Sequence, residues 1–260
     1  MKKIAFTLVL NGRPYIEEQA KIIPLIFDEW YIVEGYSLPV KDTSWCKHID
    51  ITKFTDNGWS NDGTTEFLDS LSDDNVTVIR KNPGEFWNGK TEMCNSFMHN
   101  VENSILMEFD VDEIWKPEIL TDVLNYAETN DGFDGMLFKC NYYVGPNLIT
   151  RGENCYGNKA DEWCRLWKVR NKTSWRTHEP PRIHGLHNFL SNDFTQEKGW
   201  IFDHYAYALE KQLEFKENYY GYTGAVNSWK KLQNETDFPV NLRDYFPWVN
   251  DHSQVIKINE

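Results

Sequence analysis

Residues 105–109 form an apolar run broken by a single Glu108, and Asp110, Val111, Asp112 and Glu113 follow at once. A run this apolar is stable only in a core. Three carboxylates within four positions repel one another wherever they are half-buried. Both demands are met by a buried strand that ends at the rim of a sheet. Asp110 and Asp112 alternate along an extended chain, so both side chains point to one side of it. Two carboxylates so placed can hold Mg²⁺ or Mn²⁺, and such hard cations in turn hold phosphates. An acidic turn with an N-cap accounts for the same residues without any chemistry.

The chain before this run alternates between strand and helix. Residues 4–10 form an apolar strand, and Asn11-Gly12-Arg13-Pro14 a turn into a helix carrying Tyr15, Ile16, Gln19, Ile22, Ile23 and Ile26. Pro24 ends or kinks that helix. Strands follow at 29–33 and 76–79, with a helix opened by Asp62-Gly63-Thr64-Thr65 between them. Residues 87–101 read as a helix and 104–109 as the fourth strand. This alternation predicts an α/β fold with a mostly parallel sheet flanked by helices. Ligands of such sheets lie at the carboxyl ends of the strands, where Glu34 and Asp110 fall. The later half predicts a long strand over 133–143, shorter ones at 148–151 and 166–169, an aromatic alternating stretch at 200–207, and helix from 210 to 232 interrupted near Gly221 and Gly224. Residues 1–207 are expected to be the catalytic domain, and 208–260 a helical C-terminal extension on the same core. The polar stretch 37–61 is long for a connection and reads as an insertion.

The 260 residues carry a net charge of −13, which disfavours nucleic acid or an anionic membrane surface as the main partner. Cys46, Cys94, Cys140, Cys155 and Cys164 form no C-x-x-C pair, so a reduced, cytoplasmic setting is expected. The short apolar stretch at the start reads as a strand rather than a signal peptide, and no run reaches the length of a membrane span.

Taken together, Phe6 to Gly12, Glu34-Gly35 and Asp62-Gly63-Thr64, and Leu106 to Glu113 resemble the ordered motifs of a family-2-like glycosyltransferase of the GT-A fold. Arg80-Lys81, Gly84, Gly89-Lys90 and Asn95 match its intervening block loosely. Residues 38–59 interrupt the second motif. Downstream, Cys164-Arg165-Leu166-Trp167-Lys168 and His178-Glu179 resemble the R-L-F and H-E pattern of glycosyltransferases that extend lipopolysaccharide cores. The resemblance implies transfer of a sugar from a UDP- or GDP-sugar to a carbohydrate or other hydroxyl acceptor, with inversion and a divalent cation. It places Asn11, Glu34 and Asp62 around the nucleotide, and Asp110 on ribose or, through water, on metal. Asp112 would bind the metal directly. A histidine would complete the set, here His204, with His184 and His187 as alternatives.

The residues themselves suggest further roles. Glu179 precedes Pro180-Pro181, which fix an extended turn, and a carboxylate there could take the acceptor's proton if burial raised its pKa. A salt bridge to Arg176 or Arg182 is the structural reading, and Asp161 and Glu162 are the competing acids. Arg165 and Lys90 could neutralise phosphate charge. Trp45, Trp59, Trp87, Trp115 and Trp163 fall near the expected crevice, where rings with polar handles suit sugars. A sugar-phosphate nucleotidyltransferase would combine a similar sheet and acids, but needs a Gly-rich basic loop after the first strand. An inactive carbohydrate-binding protein is the third possibility.

Overall fold

The computed structural model describes residues 1–38, 50–53, 55–151, 163–249 and 252–258. In chain order, β1 (Lys2–Val9), α1 (Tyr15–Ala20), α2 (Ile23–Ile26) and β2 (Glu29–Glu34) come first. After them come α3 (Thr64–Asp69), β3 (Val76–Arg80), α4 (Lys90–Asn95), β4 (Ser104–Glu108), β5 (Glu113–Ile114) and α5 (Pro117–Thr129). The strands β6 (Gly135–Leu137), β7 (Lys139–Gly145), β8 (Leu148–Arg151), β9 (Cys164–Val169), β10 (Trp175–Thr177), β11 (Arg182–Ile183) and β12 (Phe189–Leu190) follow. The chain continues through α6 (Asn192–Glu197), β13 (Ile201–His204), α7 (Glu210–Tyr219), α8 (Ala225–Gln233), β14 (Val240–Asn241) and β15 (Gln254–Lys257).

The first sheet has the order β12-β6-β9-β4-β1-β2-β3. Its centre, β4-β1-β2-β3, is parallel as expected, while β9 runs antiparallel to both β4 and β6. Alternation along β1 explains the two covering layers. Ala5 and Val9 face one side with Ile16, Leu120, Val123 and Leu124 from α1 and α5. Ile4 and Phe6 face the other with Met93, Cys94 and Phe97, in and just after α4. β4 is buried along its whole length, so its end is where the chain emerges.

Two expected elements differ. The long strand over 133–143 is two strands in separate sheets. A Cβ at Gly135 would stand 2.5 Å from the Leu166 carbonyl, so β6 is drawn tightly onto β9. The Phe138 N–H then donates to the Trp163 carbonyl at 2.8 Å, and the chain leaves for the second sheet as β7. The helix expected over 87–101 is only α4 with a 3-10 turn at Met98–Asn100. Gly89, at φ +96°, is outside helical geometry, and the Glu92 carboxylate accepts from the Asn88 N–H at 2.5 Å.

The second sheet, β14-β15-β8-β7-β13-β5, is mostly antiparallel. Gly221 and Gly224, both at positive φ, separate α7 from α8. Beyond these helices the C-terminal segment carries a 3-10 turn at Leu242–Asp244 and the strands β14 and β15, of which β15 lies beside β8. Leu213, Leu232, Leu242 and Val255 share one buried cluster with Ala5 and Ile105. Among the described residues, no helix is long and apolar enough to cross a membrane.

Candidate active site

β1 and β4 end side by side, and the acidic turn is built on that pairing. The Phe109 N–H donates to the Phe6 carbonyl at 2.9 Å, and the Glu113 N–H to the Asp110 carbonyl at 2.9 Å, which closes the turn. Gln19, buried in α1, clamps it from below. Its Nε2 donates to the carbonyls of Asp110 (2.7 Å), Val111 (3.2 Å) and Glu113 (3.1 Å), while its Oε1 accepts from Thr7. Gly12 is required beside the turn, because an added Cβ would lie 2.6 Å from Val111.

One buried guanidinium holds the carboxylates together. Arg165, on β9, is 3 % exposed. Its Nε and Nη2 donate to Glu113 at 2.7–3.1 Å and its Nη2 to Asp110 at 2.6 Å, with Glu108 3.5 Å from Nη1. Glu108 also meets His178 Nε2 at 2.9 Å. Burial pushes the Asp110 carboxyl up, but Arg165 and then Lys90 outweigh it and hold it down at about 2. Arg165 therefore acts on the acids of the turn, and the phosphate role expected from sequence does not match its partners.

Above this layer lies a cleft of about 760 Å³. Asn11, Asp62, Lys90, Asp110, Asp112, Arg165, Glu179 and His204 all border it. Asp112 Oδ1 is 3.3 Å from His204 Nε2. Burial pushes the Asp112 carboxyl up and the His204 ring down, yet the pair's mutual attraction reverses both shifts. His204 Nδ1 is buried with no hydrogen-bond partner among the described residues. Ring packing orients it instead, with Tyr142 at 5.0 Å and Trp163 at 4.9 Å.

The expected metal trio of Asp110, Asp112 and His204 is split in this arrangement. Among the described residues, the acids and histidine whose donor atoms lie within 4.8 Å of one another are Glu108, Asp110 and His178. That cluster abuts the Arg165 guanidinium, whose charge opposes a cation. The Asp112–His204 pair lies on the cleft wall; its carboxylate suits Mn²⁺ or Mg²⁺, whereas its imidazole fits Mn²⁺ better than Mg²⁺, which keeps to oxygen donors.

Glu179, at the tip of the β10–β11 hairpin, meets Lys90 Nζ at 2.7 Å rather than Arg176 or Arg182. Burial pushes its carboxyl up, but Lys90 prevails and the pKa is lowered, the reverse of the shift expected for a base. Glu34 differs from expectation as well. It is fully buried, accepts from Thr65 Oγ1 (2.6 Å) and the Ser60 N–H (3.3 Å), and pairs with Arg80. It locks the loop before α3 and does not border the cleft. Asn11, at φ +57°, accepts from the Asn61 N–H at 2.9 Å, and Asp62 accepts from Thr64 and Arg13. Asp161, Glu162 and Trp45 lie outside the described residues. His184 and His187 border a second cavity. Of the tryptophans, Trp163 borders the cleft, whereas Trp87 and Trp115 are core residues and Trp59 packs on Arg80.

Lys216 also borders the cleft. It sits on α7 with its ammonium 4.8 Å from the Tyr207 ring and 5.6 Å from Tyr220. Among the described residues no carboxylate lies within 4.0 Å of it, and burial lowers its pKa. Its sequence signal is slight: one lysine in a helix rich in charges.

No protein-family model and no curated protein matches this chain. Among solved structures, it is similar to a fragment of S. aureus TarS in complex with UDP-GlcNAc, at 16 % identity and TM-score 0.43, over 65 % of this chain and 46 % of that one. The same fragment with UDP gives 16 % identity and TM-score 0.40, over 65 % and 47 %. The T. maritima inositol-1-phosphate CTP transferase gives 12 % and 0.32, over 66 % and 71 %. The chain thus spans less than half of the TarS fragment. At such scores and identities, neither likeness assigns an activity.

Proposed function

We propose that this chain is a nucleotide-sugar glycosyltransferase, moving a sugar from a UDP- or GDP-sugar to a hydroxyl of a glycan-type acceptor. The carrying observation is that one cleft gathers carboxylates at a strand end, the lysines Lys90 and Lys216, and the carboxylate of Glu179. Asp112 and His204 would hold the divalent cation, without Asp110, whose carboxylate is paired with Arg165. Such an ion would supply Lewis-acid stabilisation of the leaving diphosphate.

The chain's own residues divide the remaining work. Asn11 and Asp62, on loops tied together by side-chain bonds, form the nucleotide end of the cleft. Lys216, without a close carboxylate, is placed to meet negative charge on the leaving group. Glu179, ionised beside Lys90, is the carboxylate placed to accept the hydroxyl proton, although the pair with Lys90 makes it a weaker base than a free carboxylate. A base on the opposite side of the sugar from the diphosphate gives inversion. Trp163 and Tyr220 offer ring faces to the sugar. A nucleotidyltransferase fits less well, because Arg13, the basic residue after β1, is paired with Glu17.

Isothermal titration with UDP and GDP, with and without Mn²⁺, tests this reading, together with nucleotide release from a panel of UDP- and GDP-sugars. Metal-enhanced binding of one diphosphate and release from its sugars is expected. Absence of binding to both would overturn the proposal.

A further inference from the structure

The hairpin that carries Glu179 has a second face. Trp175 and Ile183 pair across β10 and β11 and are both buried. A β-bulge at Arg176 sets Thr177 opposite Arg182, and Arg176 and Arg182, unlike the Trp175–Ile183 pair, are both exposed. The two arginines border a second cavity of about 330 Å³ together with His184 and His187. Its described lining holds no Asp or Glu. Neither arginine has a carboxylate within 4.0 Å among the described residues, in a chain whose net charge is −13. Lys90 has taken the carboxylate that could have neutralised them. Pro180 and Pro181 border both cavities, so the basic pocket begins where the cleft ends, next to Glu179.

Resting on the transfer reading above, we propose that this second cavity binds an anionic group of the acceptor, a phosphate or a carboxylate, and so presents the acceptor's hydroxyl to Glu179. Two guanidinium forks bordering one cavity match the oxygens of either anion. The donor's diphosphate has its own cation, Lys216, in the main cleft, and does not need these arginines.

Ligand-observed NMR on the full chain tests this with glucose 6-phosphate, glucuronate and glucose as probes, alongside UDP titration in Mn²⁺. At least one anionic probe is expected to bind roughly tenfold or more tightly than glucose. Which anion is preferred distinguishes phosphate from carboxylate. The R176Q/R182Q double variant is expected to lose the preference while binding UDP as wild type does. Equal binding of all three probes, a preference that survives in the double variant, or displacement of the anionic probe by UDP would each overturn the proposal. Loss of the preference in the variant of a chain that binds no UDP would leave an anion site but remove its acceptor role, and the transfer reading with it.

Discussion

The acidic turn after β4 contributes to two unlike regions. Below it, Glu108, Glu113 and one oxygen of Asp110 surround a guanidinium that is 3 % exposed, with Gln19 holding the backbone carbonyls. On the cleft side, Asp112 and His204 stand 3.3 Å apart, Lys216 lies over the Tyr207 ring, and Glu179 has the single ion pair with Lys90. The adjacent carboxylates Asp112 and Glu113 thus belong to the cleft wall in one case and to a scaffold in the other. Buried charges gathered on one guanidinium hold a shape, whereas those facing a cavity remain available to a ligand. Substitutions in the two regions should therefore fail differently.

The largest effect is expected on the cleft side. Asp112→Asn removes a charge from the proposed metal position without touching the Arg165 network. Turnover of a nucleotide sugar should be abolished, a loss of several kcal/mol in transition-state stabilisation, with the melting temperature kept. Activity equal to wild type would show that Asp112 belongs with the scaffold. Arg165→Met probes the other region. It leaves Glu113 and Glu108 buried without their cation and should cost about 3–5 kcal/mol of stability, read as the urea midpoint. A variant as stable as wild type would erase the distinction between the regions.

Glu179→Gln should lower turnover with acceptor by about 10²–10⁴-fold while leaving UDP affinity in place. Lys90 would lose its ion pair with Glu179, and some thermal stability with it. A purely structural carboxylate predicts the opposite balance: a lowered melting temperature with little change in rate. The ratio of the two effects places Glu179 on one side of the comparison or the other.

The two regions were also unequally legible in sequence. β1, β2 and β4 announce themselves because a buried parallel strand is apolar on both faces, and the acids that follow mark the rim. The scaffold half was legible only as a list of charges. Glu108 looks like a flaw in an apolar strand until His178 is found 2.9 Å away. Gln19 reads as one polar residue on a helix, yet it holds three carbonyls from residues more than ninety positions later. Arg165 carried a motif but not its partners, which come from another strand and the turn. The break at Phe138 depends on Trp163, a contact no local pattern encodes. Glu34 is illegible for the same reason: the loop before α3, distant in sequence, fills its acceptors.

The smallest effect concerns acid and sharpens where Asp110 stands between the regions. Against its burial, Arg165 and Lys90 hold its carboxyl at about 2, below the ordinary 3.8. A carboxyl whose folded pKa is depressed binds fewer protons in the folded than in the unfolded chain across that interval. Its contribution to stability is complete above about pH 4 and is lost as pH falls toward 2. Denaturation of the metal-free chain, followed by urea midpoint between pH 5 and pH 2, should therefore show a steeper acid decline in wild type than in Asp110→Asn. That variant retains the shape but has no proton to take up. Its midpoint should start lower at pH 5, because the pair with Arg165 is gone, and should converge on wild type at the acid end. Parallel curves at all pH values would mean that Asp110 gains nothing from Arg165, and would assign it to the cleft with Asp112.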